Sequence, residues 1–504
     1  MLQVEGGRGE WEKKVLLRVT RIELGGAGRL YPRVTIDALP DNVLLETFEF
    51  YLGKDDAVGI QGAQKYDLWQ KLVHVCRRWR CIVFASPRRL DLKLYCTRKR
   101  SVNSKTLDIW PALPIVIFAR DLHSNEDVTS VITALRQHNR VCRIHHYNEQ
   151  PRDSLLKELA KIDEPFPALT SLELISHGQD VPVLPDSFLG RSAPHLQSLD
   201  LDGIAYPSIG KLLSSTTNLV RLSLWRIPNS GYLAPNTIVP CLSMLSRLES
   251  LALVLQHPRP RAHRASRHPP PLTRVVLTNL ASLDFGGDME YLEDILSQIE
   301  TPMLNQSYFC FFNQLVFDTP LLGQYIRRTE TFTTIHRASV QFFSWAVRVT
   351  FWGREEMADN DRKALWLEIT CKPLDWQLSA IAQVLDSFSS SLLAVEGLEI
   401  AVHHEDWQGD IEVIQWRELL LPFPSVKRMS LKDEASVRPV ARALRELAGE
   451  GETEVLPALQ HLSLTTSSRS PSGPIKAAVD QYIATRQLHG HHLTVHYRDI
   501  ESEE

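Results

Sequence analysis

Two kinds of hydrophobic spacing divide the chain. Up to about residue 100 the apolar positions recur at helical intervals; beyond it, short runs of period two alternate with helical stripes. The short runs share a phrase. Its early copies are Leu169-x-x-Leu172-x-Leu174, Leu196-x-x-Leu199-x-Leu201, Leu219-x-x-Leu222-x-Leu224, Leu248-x-x-Leu251-x-Leu253 and Leu280-x-x-Leu283-x-Phe285. They start 27, 23, 29 and 32 residues apart. Two late copies, Val426-x-x-Met429-x-Leu431 and Leu459-x-x-Leu462-x-Leu464, start 33 residues apart. Helical stripes fill the gaps: Val128, Val131, Ile132 and Leu135; Leu292, Ile295, Leu296 and Ile299; Leu378, Ile381, Ala382 and Leu385; Val437, Val440, Ala441 and Leu444. Each set follows i, i+3, i+4, i+7, which marks one buried helix face.

A strand and a helix repeated at this interval have the form of a leucine-rich repeat. One such unit cannot bury its apolar face alone and must stack on neighbours. The expected fold class is therefore α/β: a solenoid over residues 101–504, with parallel strands on the concave side and helices on the convex side. PIVIF at 114–118 and VCRIHHY at 141–147 are candidate earlier strands. Residues 300–370 fit the phrase poorly, although VQFF, AVRVTF and ALWLEIT allow more of the same sheet. The basic, Pro-rich segment 256–272 is expected to be an exposed loop between repeats.

Residues 34–100 read as a helical domain. Pro40 suits a first helical position, and Asp41 adds favourable negative charge to the first turn. Leu44, Phe48, Tyr51 and Leu52 then form a stripe. GKDDAVGIQGAQK at 53–65 reads as a polar loop. From Trp69 a second element carries Leu72, Val75, Cys76, Trp79 and Val83, and ends at Ser86-Pro87. Residues 1–33 read as a loosely attached arm with one alternating run between two Gly-rich patches.

Composition narrows the function classes. With 504 residues, 43% apolar and 23% charged, the chain is globular rather than disordered. A net charge of −4 provides no global attraction to nucleic acid or to an acidic membrane. No apolar run reaches the roughly 18–20 residues of a membrane span, and the start lacks a secretory apolar core, so an intracellular, soluble protein is expected. Seven cysteines without C-x-x-C spacing argue against a disulfide framework or a Cys-rich zinc site.

Enzyme motifs are incomplete. Gly210-Lys211 lacks the upstream Gly of a phosphate loop (Ala205), and Leu212 stands where Ser or Thr should bind magnesium. GRSAP at 190–194 lacks the second Gly of a nucleophile elbow. Cys142, His145 and His146 lie on one predicted strand, whose alternation would send the two histidines to opposite faces. His403-His404-Glu405-Asp406 reads as a polar turn, and His489, His491 and His492 as a linker. No catalytic residue, metal or cofactor is expected.

Leu39-Pro40 followed by Val43-Leu44, then Phe48 and Leu52, resembles the first helix of an F-box. Val75-Cys76-Arg77-Arg78-Trp79-Arg80 resembles that motif's second hallmark. The gap between Leu52 and Trp69 is longer than is usual there. An F-box followed by leucine-rich repeats is similar to the F-box/leucine-rich-repeat proteins, in particular their large fungal sets. The resemblance implies a substrate-recognition subunit of a Skp–cullin–F-box ubiquitin ligase. The F-box would dock a Skp-type adaptor, linked to a cullin–RING ligase, and the repeats would hold a protein substrate. It implies adaptor contacts at Leu39, Pro40, Val43, Leu44, Phe48, Trp69, Val75, Cys76 and Trp79, some of which belong equally to an internal core. Arg77, Arg78 and Arg80 would flank the groove or solvate the helix. The alternative is a repeat scaffold outside any ligase. Localisation is expected in cytoplasm or nucleus.

On the substrate side, residues beside the leucines face the concave surface because strand side chains alternate. They are Glu173, Asp200, Asp202, Arg221, Ser223, Trp225 and Asp284, then Arg428, Ser430, Lys432 and His461. The early row reads as acidic with one large aromatic, and the late row as basic. The expected partner is basic where it meets the early repeats, with Trp225 as an anchor.

Overall fold

A computed structural model describes residues 36–53, 68–97, 107, 112–120, 125–148, 154–178, 181–258, 274–314, 316–333, 335–353, 365–372, 374–403, 413–432, 434–447, 455–466 and 474–499. The N-terminal arm, most of the 53–65 loop, the basic loop from 259 on and the 404–406 turn lie outside these residues. The chain divides into two units, Met1–Leu92 and Lys93–Glu504. Among the described residues no helix is long and apolar enough to cross a membrane.

The first unit holds three helices: α1 (Asp41–Leu52), α2 (Leu68–Val73) and α3 (Arg77–Ala85). Pro40 is the cap residue rather than the first helical one; its carbonyl accepts from Val43 and Leu44 N–H, both at 3.1 Å. Leu44, Phe48, Trp69, Leu72, Val73, Ile82 and Val83 form the core. The single element expected from Trp69 to Ser86 is two helices. The break is chemical: Cys76 is extended, and its Sγ accepts Trp79 N–H at 3.4 Å, capping α3. Arg80 Nε donates to the carbonyl of Val73 at 2.9 Å, satisfying the end of α2.

The second unit is mixed α/β around one large, mostly parallel sheet. Its strands, in chain order, begin with β1 (Leu94–Thr97), β2 (Ile115–Arg120), β3 (Val141–Asn148), β4 (Ser171–Ser176), β5 (Ser198–Asp202), β6 (Arg221–Ile227) and β7 (Ser250–Leu255). A two-residue strand β8 (Val275–Val276) pairs outside the sheet with β10 (Ile299–Glu300). Between them lies β9 (Ser282–Gly287), followed by β11 (Gln306–Phe312), β12 (Ile335–Phe342), β13 (Ala346–Gly353), β14 (Leu365–Thr370), β15 (Gly397–Val402), β16 (Arg428–Leu431), β17 (His461–Thr466) and β18 (Thr494–Asp499). The sheet has 16 strands in the order β1-β2-β3-β4-β5-β6-β7-β9-β11-β14-β13-β12-β15-β16-β17-β18.

Every copy of the leucine phrase is a strand, and its leucines point to the buried face: Leu172, Leu174, Leu199, Leu201, Leu222, Leu224, Leu251, Leu253, Leu283 and Phe285 are all core. Fully burying such a side chain stabilises by about 1.5–3 kcal/mol. The early copies align without slip, Leu172 beside Leu199, Leu222, Leu251 and Leu283 in turn. A slip by one residue would turn every leucine to the open face. The four helical stripes fall on helices Asn125–Leu135, Met289–Gln298, Leu374–Asp386 and Glu434–Leu447, except that Ile299, the last of the second stripe, lies just past its helix in β10. Between β4 and β5 the expected helix is replaced by short turns and a 3-10 segment, Phe188–Arg191.

The parallel pattern breaks once. Only Phe343, Ser344 and Trp345 separate β12 from β13, too short for a parallel crossover, so β13 runs antiparallel to both β12 and β14. The chain leaves β11, forms β12 three positions away, and returns through β13 to set β14 beside β11. This is where the phrase fails in the sequence: VQFF, AVRVTF and ALWLEIT do join the sheet, as a meander inserted in the parallel run.

Candidate functional site

In the first unit, the expected docking residues separate into two groups. Leu44, Phe48 and Trp69 are buried in the unit's own core, the place the sequence left open beside a docking role. Trp79 is half-buried, its ring 4.7 Å from that of Phe48, and Cys76 is engaged as a helix cap. Leu39 is half-buried and Pro40 exposed. Val43 (38%) and Val75 (59%) are exposed. Phe50, not foreseen, is 91% exposed. It stands seven residues after Val43, two helical turns on and on the same line. Tyr51 is exposed beside it. The signal was present in LLETFEF: once Leu44 and Phe48 face the core, a helical period leaves Phe50 on the opposite side.

The arginines of α3 do specific work. Arg78 Nε and Nη2 donate to Asp41 Oδ1 at 3.0 and 2.6 Å, and Nη2 also donates to the carbonyl of Leu39 at 2.6 Å. Arg89 Nε donates to Glu49 Oε2 at 3.0 Å. Residues nearly forty positions apart thus hold α1 in place, and no local sequence signal announces such a pair.

In the second unit, the residues read as concave do share one face. Glu173, Asp200, Ser223, Ala252 and Asp284 form a single row across β4, β5, β6, β7 and β9. Asp202 and Trp225 are partners in the next row, and Arg221 lies in the row on the other side, next to Ser198. Their surroundings differ. His145 Nδ1 lies 2.7 Å from Glu173 Oε2, and this hydrogen bond holds the Glu173 carboxyl below its usual range. Asp202 accepts from Arg226 Nε, and Arg226 Nη2 also donates to the carbonyl of Ser176 at 3.2 Å. Asp200 accepts only Ser223 Oγ, at 3.1 Å. Burial pushes Asp200 up to about 6, opposed by the Ser223 hydrogen bond and the Arg221 charge, with Glu173 and Asp202 adding to the rise. Burial also raises Asp284. Neither Asp200 nor Asp284 has an ion-pair partner among the described residues. Trp225, 37% exposed, stacks on no ring among them.

The early face is not uniformly acidic, because Arg143, Arg221 and Arg226 stand among the carboxylates. The late face is not uniformly basic either. Glu399 Oε2 is 3.0 Å from Arg337 and 3.9 Å from Lys432. Arg428 and His461 are exposed in the same row.

A second cluster occupies the meander. Glu368, 3% exposed, pairs with Arg348 Nη2 at 2.7 Å and Nε at 2.8 Å. Cys310 Sγ donates to Glu368 Oε1 at 3.8 Å, and Tyr308 reaches the same carboxylate. The Arg348 guanidinium lies over Phe343, which stacks on Trp345 and His403. Burial and the neighbouring carboxylate push the Cys310 thiol up to about 12, which disfavours the thiolate a nucleophile requires. The cluster acts as a clasp across β11, β14 and β13.

Lys211 pairs with Asp186 beside Ser208. His145 lies on the open face, whereas His146 is buried with Nδ1 2.9 Å from the carbonyl of Ala119. Among the described residues no three His, Cys, Asp or Glu side chains gather as a metal site would require. No family model matches the chain, and no curated protein matches it.

Proposed function

We propose that the chain is a substrate-recognition subunit of a Skp–cullin–F-box ubiquitin ligase, in which α1–α3 form the F-box and the sheet unit is a leucine-rich-repeat solenoid. The helical unit docks a Skp-type adaptor, and the open sheet face holds a protein substrate. The chain then needs no catalytic group, since its contribution is to bring the substrate to the charged enzyme. Such a complex works in cytoplasm or nucleus. The observation that carries the reading is the exposed apolar line Val43–Phe50, with Tyr51 and Val75, on a unit too small to waste apolar surface. The in-register leucine rows support the solenoid.

One observation favours the scaffold reading instead: Leu44, Phe48 and Trp69, which the family pattern offers to an adaptor, are occupied in the core. Co-purification with a Skp-type adaptor separates the two. The variants to use are Val43→Asp and Phe50→Asp, because both side chains are exposed and the fold should tolerate them within about 0.5 kcal/mol. Capture by wild type and loss in the folded double variant supports the receptor. A folded wild type that captures no adaptor leaves the scaffold.

A further inference from the structure

The open face distributes its charge compensation unevenly, and the gap has a shape. Glu173 and Asp202 are each tied to a cationic or protonatable partner. Asp200 and Asp284 are not, yet they lie in one row with only Ser223 and Ala252 between them. Both intervening side chains are small and close to the sheet. Trp225 follows Ser223 two positions on along β6, where the β6–β7 register shifts, and Val254 follows Ala252 two positions on along β7. Arg221 lies near enough to favour the Asp200 carboxylate but makes no ion pair with it, and a half-buried carboxylate without an ion-pair partner is unfavourable for the isolated chain, which is how residues reserved for a ligand commonly look.

Strand geometry converts this into a motif. From β5 to β9 there are three strand spacings of about 4.8 Å, about 14 Å in all. An extended segment crossing the strands rises about 3.4 Å per residue and covers that distance in about four residues. Residues i, i+2 and i+4 of such a segment point the same way. Position i then meets Asp200, i+4 meets Asp284, and i+2 lands over Ser223 and Ala252 beside Trp225 and Val254.

We propose that the sheet face between β5 and β9 binds an extended protein segment of the pattern basic-x-apolar-x-basic, its two cations paired with Asp200 and Asp284 and its middle side chain against Trp225. The inference deepens the reading of this face as the substrate-holding surface and rests on it. Charge complementarity selects the occupant: a polyanion such as a nucleic acid would meet two unpaired carboxylates here.

The test uses the full chain and fluorescent synthetic nonapeptides of Ser/Gly background, read by anisotropy. One peptide carries Arg, Leu and Arg at the first, third and fifth positions of the motif. Controls bring the arginines two residues apart, replace them by Glu, or replace Leu by Ser. Saturable binding of the first peptide is expected, with roughly tenfold losses for the short spacing and for Asp200→Asn or Asp284→Asn in the protein. Trp225→Ala should weaken the Leu peptide and leave the Ser peptide unchanged. Circular dichroism of each variant, and the near-isosteric Asn changes, separate loss of binding from loss of fold. No saturable binding, indifference to spacing, or binding unaffected by the Asn variants overturns the proposal. Adaptor capture is measured on the same preparation. Adaptor capture without peptide binding overturns this motif and leaves the receptor reading; peptide binding without capture supports the motif and overturns the ligase role.

Discussion

Glu368 and Asp200 are two carboxylates on the open face of one sheet, and the fold treats them in opposite ways. Glu368, in the antiparallel meander, is the more buried of the two and has a guanidinium with two nitrogens on Oε2, a thiol and a phenol around it. Asp200, in the parallel run, has one serine hydroxyl, two like-charged neighbours and the charge of Arg221, but no ion pair. Deep burial alone therefore does not set a carboxylate apart; what separates the two is whether an ion-pair partner accompanies the burial. The meander needs its clasp because β13 breaks the stacking that elsewhere repeats from strand to strand. The parallel run is held by its leucine rows and leaves its polar face free for other uses.

The clasp should be the most sensitive part of this contrast. Arg348→Ala leaves Glu368 buried without its cation, and breaking a buried pair is strongly destabilising. Because about a third of the Arg348 side chain is exposed, the loss should fall near the low end of that range, about 3 kcal/mol. Thermal unfolding should show it as a lower midpoint, and hydrogen exchange should localise it to β11, β13 and β14. A midpoint equal to wild type would mean that the meander does not depend on the pair.

A smaller loss is expected beside Asp202, where the backbone rather than the charge is constrained. Gly203 has a φ of +69°, and a Cβ there would lie 2.3 Å from the carbonyl oxygen of Ser176. That same oxygen accepts from Arg226, the partner of Asp202. Gly203→Ala must both enter the left-handed region and displace this oxygen, at about 2–3 kcal/mol. Chemical denaturation measures it. A neutral result would show that the turn relaxes freely and that Arg226 does not depend on it.

The parallel run was legible in the sequence because a period-two phrase with in-register leucines is a local signal repeated many times. The rows on the open face follow from the same alternation, which is why Glu173, Asp200, Asp202, Trp225 and Asp284 stand in neighbouring rows of one face. Charge pairing was not legible. His145 and Glu173 are 28 residues apart, Arg226 and Asp202 are 24 apart, and Arg348 meets Glu368 only because three strands double back. In the helical unit, Leu44 and Phe48 carry a family resemblance and a core stripe at once, and in the structure both side chains are in the core. The exposed Phe50 was hidden by its neighbour, since an aromatic pair two residues apart on a helix must face different ways.

The smallest predicted effect has the opposite sign from the others. The folded chain holds the Asp200 proton up to about pH 6, whereas an unfolded chain releases it near the ordinary value of 3.8. Between those limits the folded state binds more protons, so wild-type stability falls as pH rises through the window and stays lower above it. Asn at this position has nothing to titrate. Asp200→Asn should therefore be more stable than wild type at pH 7, on the order of 1–2 kcal/mol after allowing for solvent screening, with the advantage gone by about pH 4. Unfolding midpoints at the two pH values decide it, and parallel shifts at both would remove the charge argument. Combined with weaker binding of the basic peptide, a gain in stability at neutral pH would identify Asp200 as a residue kept for its partner at the expense of the fold.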